Sequence, residues 1–189
     1  MNNREALGRI VRALEGAGIR YMLTGSFAGA YHGVPRASND IDLVIQADPE
    51  SLHRLGDLLS PAEYYFDVED AIESLERHSQ FNVIDLETGW KIDLIVQKVR
   101  EFSSVEFERR TEAQLDELRI AVASVEDVIL SKLEWSRLGE SDRQIEDAAN
   151  LIRVRWTDLD RKYIERWITE LNIRSEWDRA VRMAGLFEA

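Results

Sequence analysis

The chain has 189 residues, 44% apolar and 32% charged, which suits a folded domain with room for an annex and argues against disorder. Its 36 acidic side chains outnumber 24 basic ones, and the formal charge of −12 disfavours a broad nucleic-acid surface. It contains no cysteine, so disulfides, thiolate metal sites and thiol catalysis are excluded.

The opening Met-Asn-Asn-Arg-Glu-Ala-Leu-Gly-Arg lacks the apolar core of a signal peptide, and no apolar run is long enough to span a bilayer. A cytoplasmic protein with no membrane partner is expected. Leu7, Ile10, Val11 and Leu14 recur at helical spacing, with Gly16 and Gly18 expected to stop that helix. Tyr21 to Thr24 reads as a short strand, and Gly25-Ser26 turns it into a short helix reaching about Tyr31. Gly33 and Pro35 make the next stretch a loop. Ile41 to Ile45 is a strand, and Ser51–Leu59 and Glu69–Glu76 read as amphipathic helices.

Two β-runs, Phe81–Leu86 and Trp90–Val96, flank Glu87-Thr88-Gly89 and predict a hairpin with Gly89 at positive φ. A weaker pair, Glu112–Leu115 and Arg119–Val122, surrounds Asp116-Glu117. Ser124 is a good N-cap, and beyond it the pattern turns helical near 124–138, 141–154, 158–171 and 175–185. The expected class is α/β (α+β), a small mixed sheet over residues 1–123 followed by a helical region, 124–189, packed on it.

The sharpest chemical feature is Asn39-Asp40-Ile41-Asp42-Leu43-Val44-Ile45. Alternation puts Asp40 and Asp42 on one face while Ile41, Leu43 and Ile45 point to the core. Adjacent carboxylates repel, and strands usually avoid aspartate. A divalent cation removes the conflict. In Lys91-Ile92-Asp93-Leu94-Ile95-Val96 the pattern returns, with Asp93 opposite the apolar Ile92, Leu94 and Val96. Three carboxylates on neighbouring strands make a hard-oxygen set suited to Mg²⁺ or Mn²⁺. Two such ions roughly 3.5–4 Å apart can clamp the attacking and leaving oxygens of a phosphoryl displacement. Taken alone, Asp-x-Asp is also a common surface pattern.

Gly25-Ser26, at a strand-to-helix turn, offers close backbone approach, a hydroxyl and free N–H groups to a phosphate. An ordinary serine N-cap explains the same residues. Arg36 could neutralise a triphosphate oxygen or simply be solvated. Lys132 falls within a stripe built by Val125, Val128, Ile129, Leu133 and Trp135, so it must snorkel to water or meet a buried anion. His32, His53 and His78 show no ligand spacing, and Trp135, Trp156, Trp167 and Trp177 suit core or interface packing.

The stretch from Leu23 to Val44, with Gly25-Ser26, Gly33-x-x-Arg36 and Asp40-x-Asp42, resembles the nucleotidyltransferase superfamily with the DNA polymerase β-like fold. It is most similar to the AbiEii-like toxin and minimal nucleotidyltransferase branches. The resemblance covers about residues 20–150 and places Asp93 as the third acid. It also implies that Lys132 contacts the nucleotide and that Asp147 is a supporting polar residue. On this likeness the chain is expected to move a nucleoside monophosphate from an NTP to an acceptor hydroxyl, with Asp40, Asp42 and Asp93 as catalytic and metal residues. Gly25, Ser26, Arg36 and Lys132 then bind the nucleotide. A role in a bacterial toxin–antitoxin or defence system, with a cognate protein partner, is implied. The acceptor is held to be a protein side chain or a small molecule, ahead of tRNA. The alternatives are a non-catalytic antitoxin of the same fold and an antibiotic nucleotidyltransferase. Clustered Asp40, Asp42 and Asp93 favour the enzyme, because a pure binder has little physical reason to bear three such charges.

Overall fold

The computed structural model describes residues 3–115 and 117–186. The chain divides into two compact units, residues 1–24 with 37–122 and residues 25–36 with 123–189. Gly25–Arg36, which the sequence alone assigns to the N-terminal part, groups with the helical residues.

The first unit holds the whole sheet. Its strands are β1 (Arg20–Leu23), β2 (Asp40–Gln46), β3 (Tyr64–Tyr65), β4 (Gln80–Asp85), β5 (Lys91–Val96), β6 (Thr111–Leu115) and β7 (Leu118–Val122). They run in the order β3-β4-β5-β2-β1-β7-β6. The sheet is mixed: β2 is antiparallel to β1 and parallel to β5, and β1 is parallel to β7. Strict alternation buries Ile41, Leu43 and Ile45 on one face of β2 while Asp40, Asp42, Val44 and Gln46 stay partly exposed on the other. Ile92, Leu94 and Val96 of β5 extend the same apolar face.

This unit also contains helices α1 (Asn3–Ala17), α3 (Pro49–Leu58), α4 (Val68–Glu76) and α5 (Glu101–Glu108). Leu7, Ile10, Val11 and Leu14 of α1 are buried, as their spacing requires. Gly16 lies inside the helix, and Gly18, at φ 74°, is the residue that ends it. Asp48 and Ser51 cap α3 reciprocally. The β4–β5 hairpin turns through Gly89 at φ 72°. The weaker β6–β7 pair is also present, although Asp116 of its turn lies outside the described residues. Two elements have no counterpart in the sequence reading. Strand β3 is only two residues long, and α5 buries Ser103 and Glu106 beside Phe102 and Phe107, so no clean apolar stripe marks it.

The second unit is helical: α2 (Gly25–Tyr31), α6 (Val125–Gly139), α7 (Asp142–Arg155), α8 (Arg161–Glu170) and α9 (Arg174–Met183). Helix α6 is its centre, buried on nearly every side from Val125 to Ser136. Ser124 caps it by accepting from the Asp127 N–H. The stripe expected on α6 needs one correction. Trp135 is 47% exposed, and Leu130 is buried instead. Trp167 and Trp177 are core residues as expected.

Candidate active site

The carboxylate face is built by strand pairing. In the parallel β2–β5 ladder Asp42 stands opposite Asp93 and Asp40 opposite Lys91, so all four side chains leave the same side of the sheet. The core-facing residues between them leave no freedom to slip, because a one-residue shift would bury the charges and expose Ile41, Leu43 and Ile92. Asp40 is anchored at the mouth of β2. Its Oδ1 accepts from the Ser38 hydroxyl at 2.9 Å and from the Asn39 N–H at 3.1 Å. The Asp42 carbonyl accepts from the Thr24 N–H at 3.0 Å, which ties β2 to the end of β1.

Lys91, a base, stands among Asp40, Asp42 and Asp93 on the β2–β5 part of this face. Lys91 Nζ lies 2.9 Å from Asp93 Oδ2. Asp93 is buried, and its Oδ1 has no hydrogen-bond partner, an acceptor that calls for a donor or a cation. The Lys91 ammonium is held above its ordinary pKa, chiefly by the hydrogen bond to Asp93 and against the effect of burial. The charges of Asp93, Asp40 and Asp42 add to this.

The donor set fits Mg²⁺ or Mn²⁺ in kind: oxygen ligands, excess negative charge and one unsatisfied buried oxygen. Among the described residues, however, no three His, Cys, Asp or Glu side chains converge as placed on one metal position. The backbone register aligns the carboxylates, and Asp93 is engaged by Lys91.

The other residues expected to bind nucleotide belong to the second unit. Gly25 opens α2 at φ 62°, a conformation that favours glycine, and Ser26 is buried behind it. Lys132 is buried on α6 and does not snorkel. Its Nζ donates to Asp147 Oδ2 at 2.8 Å and to Gln144 Oε1 at 3.3 Å. Arg36 Nε donates to the same Asp147 oxygen at 2.9 Å. The anion beneath the stripe lysine is therefore a carboxylate of α7. Ser26, Arg36, Lys132 and Asp147 border a cavity of about 10 Å³, room for one water molecule and too small for a phosphate.

The structure thus brings Asp40, Asp42 and Asp93 together on one face of the sheet, and gathers Ser26, Arg36 and Lys132 around Asp147. Sequence reasoning passed over Lys91, Ser38 and the partners of Asp147. Lys91 was within reach of the argument used for the aspartates, since it precedes Asp93 by two and must share its face. Among the described residues the histidines form no ligand set. His32 bonds to the Ala123 carbonyl, and His78 to that of Gln97.

No family model matches the sequence, and no curated protein matches it. Solved structures do. The crystal structure of an antigenic nucleotidyltransferase-like protein from Paracoccidioides brasiliensis aligns with TM-score 0.52 over 95% of this chain and 92% of that one, at 15% identity. The solution structure of the antibiotic-resistance factor ANT(2'')-Ia aligns with TM-score 0.42 over 98% and 91%, at 14% identity. The crystal structure of JHP933 from Helicobacter pylori aligns with TM-score 0.46 over 98% and 88%, at 14% identity. The chain has the fold of the nucleotidyltransferase-like protein, a mixed sheet followed by C-terminal helices, as its Gly-Ser and Asp-x-Asp motifs led us to expect.

Proposed function

We propose that the chain is a nucleotidyltransferase that moves a nucleoside monophosphate from an NTP to an acceptor hydroxyl at Asp40, Asp42 and Asp93. The observation that carries this reading is the register of β2 on β5. It sets Asp42 against Asp93 and Asp40 one pleat away, an arrangement of like charges that costs stability unless a cation answers it. Asp40 and Asp42 would hold a divalent ion of the Mg²⁺ class, and Asp93 Oδ1 would complete the set. Such an ion, when bound, withdraws charge from phosphate oxygens. Ser38 and the Asn39 N–H keep Asp40 in place for this role. In the transfer the acceptor oxygen bonds to the α-phosphorus and the bond to pyrophosphate breaks. One of the three carboxylates takes the hydroxyl proton.

Gly25, Ser26, Arg36 and Lys132 enter the proposal as an anion-binding group of the second unit. Two cations on one carboxylate leave positive charge over, but Asp147 has to release them before a phosphate can enter. The acceptor is a protein side chain or a small molecule ahead of tRNA. Three arginines of the helical unit are engaged locally: Arg153 on the Ala184 and Met183 carbonyls, Arg155 near Asp158, Arg166 on Glu170. We place the protein in the cytoplasm, in a toxin–antitoxin or defence setting. Among the described residues no helix is long and apolar enough to cross a membrane.

The test is transfer of label from α-³²P-NTP into cell extract in Mg²⁺. The expected result is labelled protein or small molecule, with Asp42→Asn lowering transfer roughly 1000-fold. That is the loss of several kcal/mol of charge stabilisation, at about 1.4 kcal/mol per tenfold. Transfer that survives the substitution overturns the assignment, and label confined to tRNA overturns the acceptor preference.

A further inference from the structure

Lys91 is a charged residue of the carboxylate face that the proposed chemistry leaves without a task. It stands opposite Asp40 in the β2–β5 ladder and two residues before Asp93, so it shares their face. Its ammonium sits 2.9 Å from Asp93 Oδ2. The two partners differ in exposure: the Asp93 side chain is 7% accessible and the Lys91 side chain 44%. A buried carboxylate needs a cation, whereas a half-exposed lysine on a four-carbon stem can return to water at small cost. Asp40 stands opposite it in the ladder and Asp42 one pleat further along, so the ammonium answers the same negative charge that a metal would.

We propose that Lys91 is a tethered counter-ion that occupies the carboxylate face until a divalent cation displaces it. Its side chain thereby sets how tightly that face binds metal. The inference rests on the metal-binding reading above and adds a competitor to it. In the metal-free chain the ammonium lowers the repulsion among Asp40, Asp42 and Asp93 and holds Asp93 through its Oδ2. A divalent cation must take Asp93 from Lys91, and the freed ammonium swings outward. The arrangement gives the chain a stable apo form at the cost of metal affinity.

The experiment is Mn²⁺ binding, followed by calorimetry and by the EPR signal of free Mn²⁺, in wild type, Lys91→Met and Lys91→Gln, beside melting curves without metal. Removing one positive charge next to a divalent cation at a half-exposed site should tighten Mn²⁺ binding about tenfold or more. Both variants should melt below wild type in metal-free buffer and regain the difference when Mn²⁺ is added. Lys91→Gln keeps a polar side chain and carries the same expectation if Lys91→Met fails to fold. Wild-type binding with unchanged or weaker affinity in the variants overturns the counter-ion role and leaves the metal site standing. No Mn²⁺ binding by any of the three chains overturns the metal reading, and this inference with it.

Discussion

The two units each gather acid and base side chains in one cluster, in opposite proportions. On the β2–β5 face three carboxylates meet one ammonium. On α6 and α7, Lys132 and Arg36 meet the single carboxylate of Asp147. The second cluster closes on itself: each of its charges finds a partner within the helical unit, and the space left admits one water. The first does not close, since Asp93 Oδ1 is buried with no partner and the acids outnumber the base. Local imbalance, more than the presence of charged side chains, is what marks a place where something must bind. A buried lysine in an apolar stripe looks anomalous in sequence, yet here its answer lies fifteen residues further along the chain.

Breaking each cluster should therefore move stability in opposite directions. Asp147→Ala strands Lys132 in the interior and should cost about 3–5 kcal/mol, measured by denaturant unfolding. Lys132→Met should cost less, about 1–3 kcal/mol, because Asp147 keeps Arg36. Asp42→Asn, by contrast, relieves like-charge repulsion across the strand pair and should stabilise the metal-free chain by about 0.2–1 kcal/mol. A loss of stability in Asp42→Asn would mean that its carboxylate is a structural partner, as Asp147 is.

A smaller effect concerns His32, which lies in the closed helical unit. Burial holds its pKa below the ordinary 6.5, against the hydrogen bond to the Ala123 carbonyl. The unfolded chain then takes up this proton more readily than the folded one. The contribution is therefore complete above pH 6.5 and declines as the pH falls below that value. Between about pH 7 and about pH 5.5, wild type should lose a little more melting temperature than His32→Gln, which removes the titration and retains a polar side chain. Parallel slopes for the two proteins would remove His32 from the account.

Most of the fold was legible because it is written in short-range periodicity. Alternation in Asp40–Gln46 and Lys91–Val96 predicts both strands and both polar faces, and Gly89 predicts the hairpin. Helix α5 escaped because its inward face includes Ser103 and Glu106, so composition hides its period. The carboxylate face was legible for the same reason as its strands. What strand pattern cannot show is register, and it is the β2–β5 register that puts Lys91 opposite Asp40 and Asp42 opposite Asp93. The partners of Lys132 were illegible for another reason. Asp147 and Arg36 lie 15 and 96 positions away, and only the packing of α6 against its neighbours brings them to one oxygen.

The most direct test of the carboxylate face as an Mg²⁺–nucleotide site is calorimetric NTP binding, with and without Mg²⁺, in wild type and Asp42→Asn. Wild type should bind only when the metal is present. The variant should bind neither way while melting no lower than wild type in metal-free buffer. Equal, Mg²⁺-dependent binding in wild type and Asp42→Asn would contradict the account, because the nucleotide would then be held somewhere other than on β2 and β5.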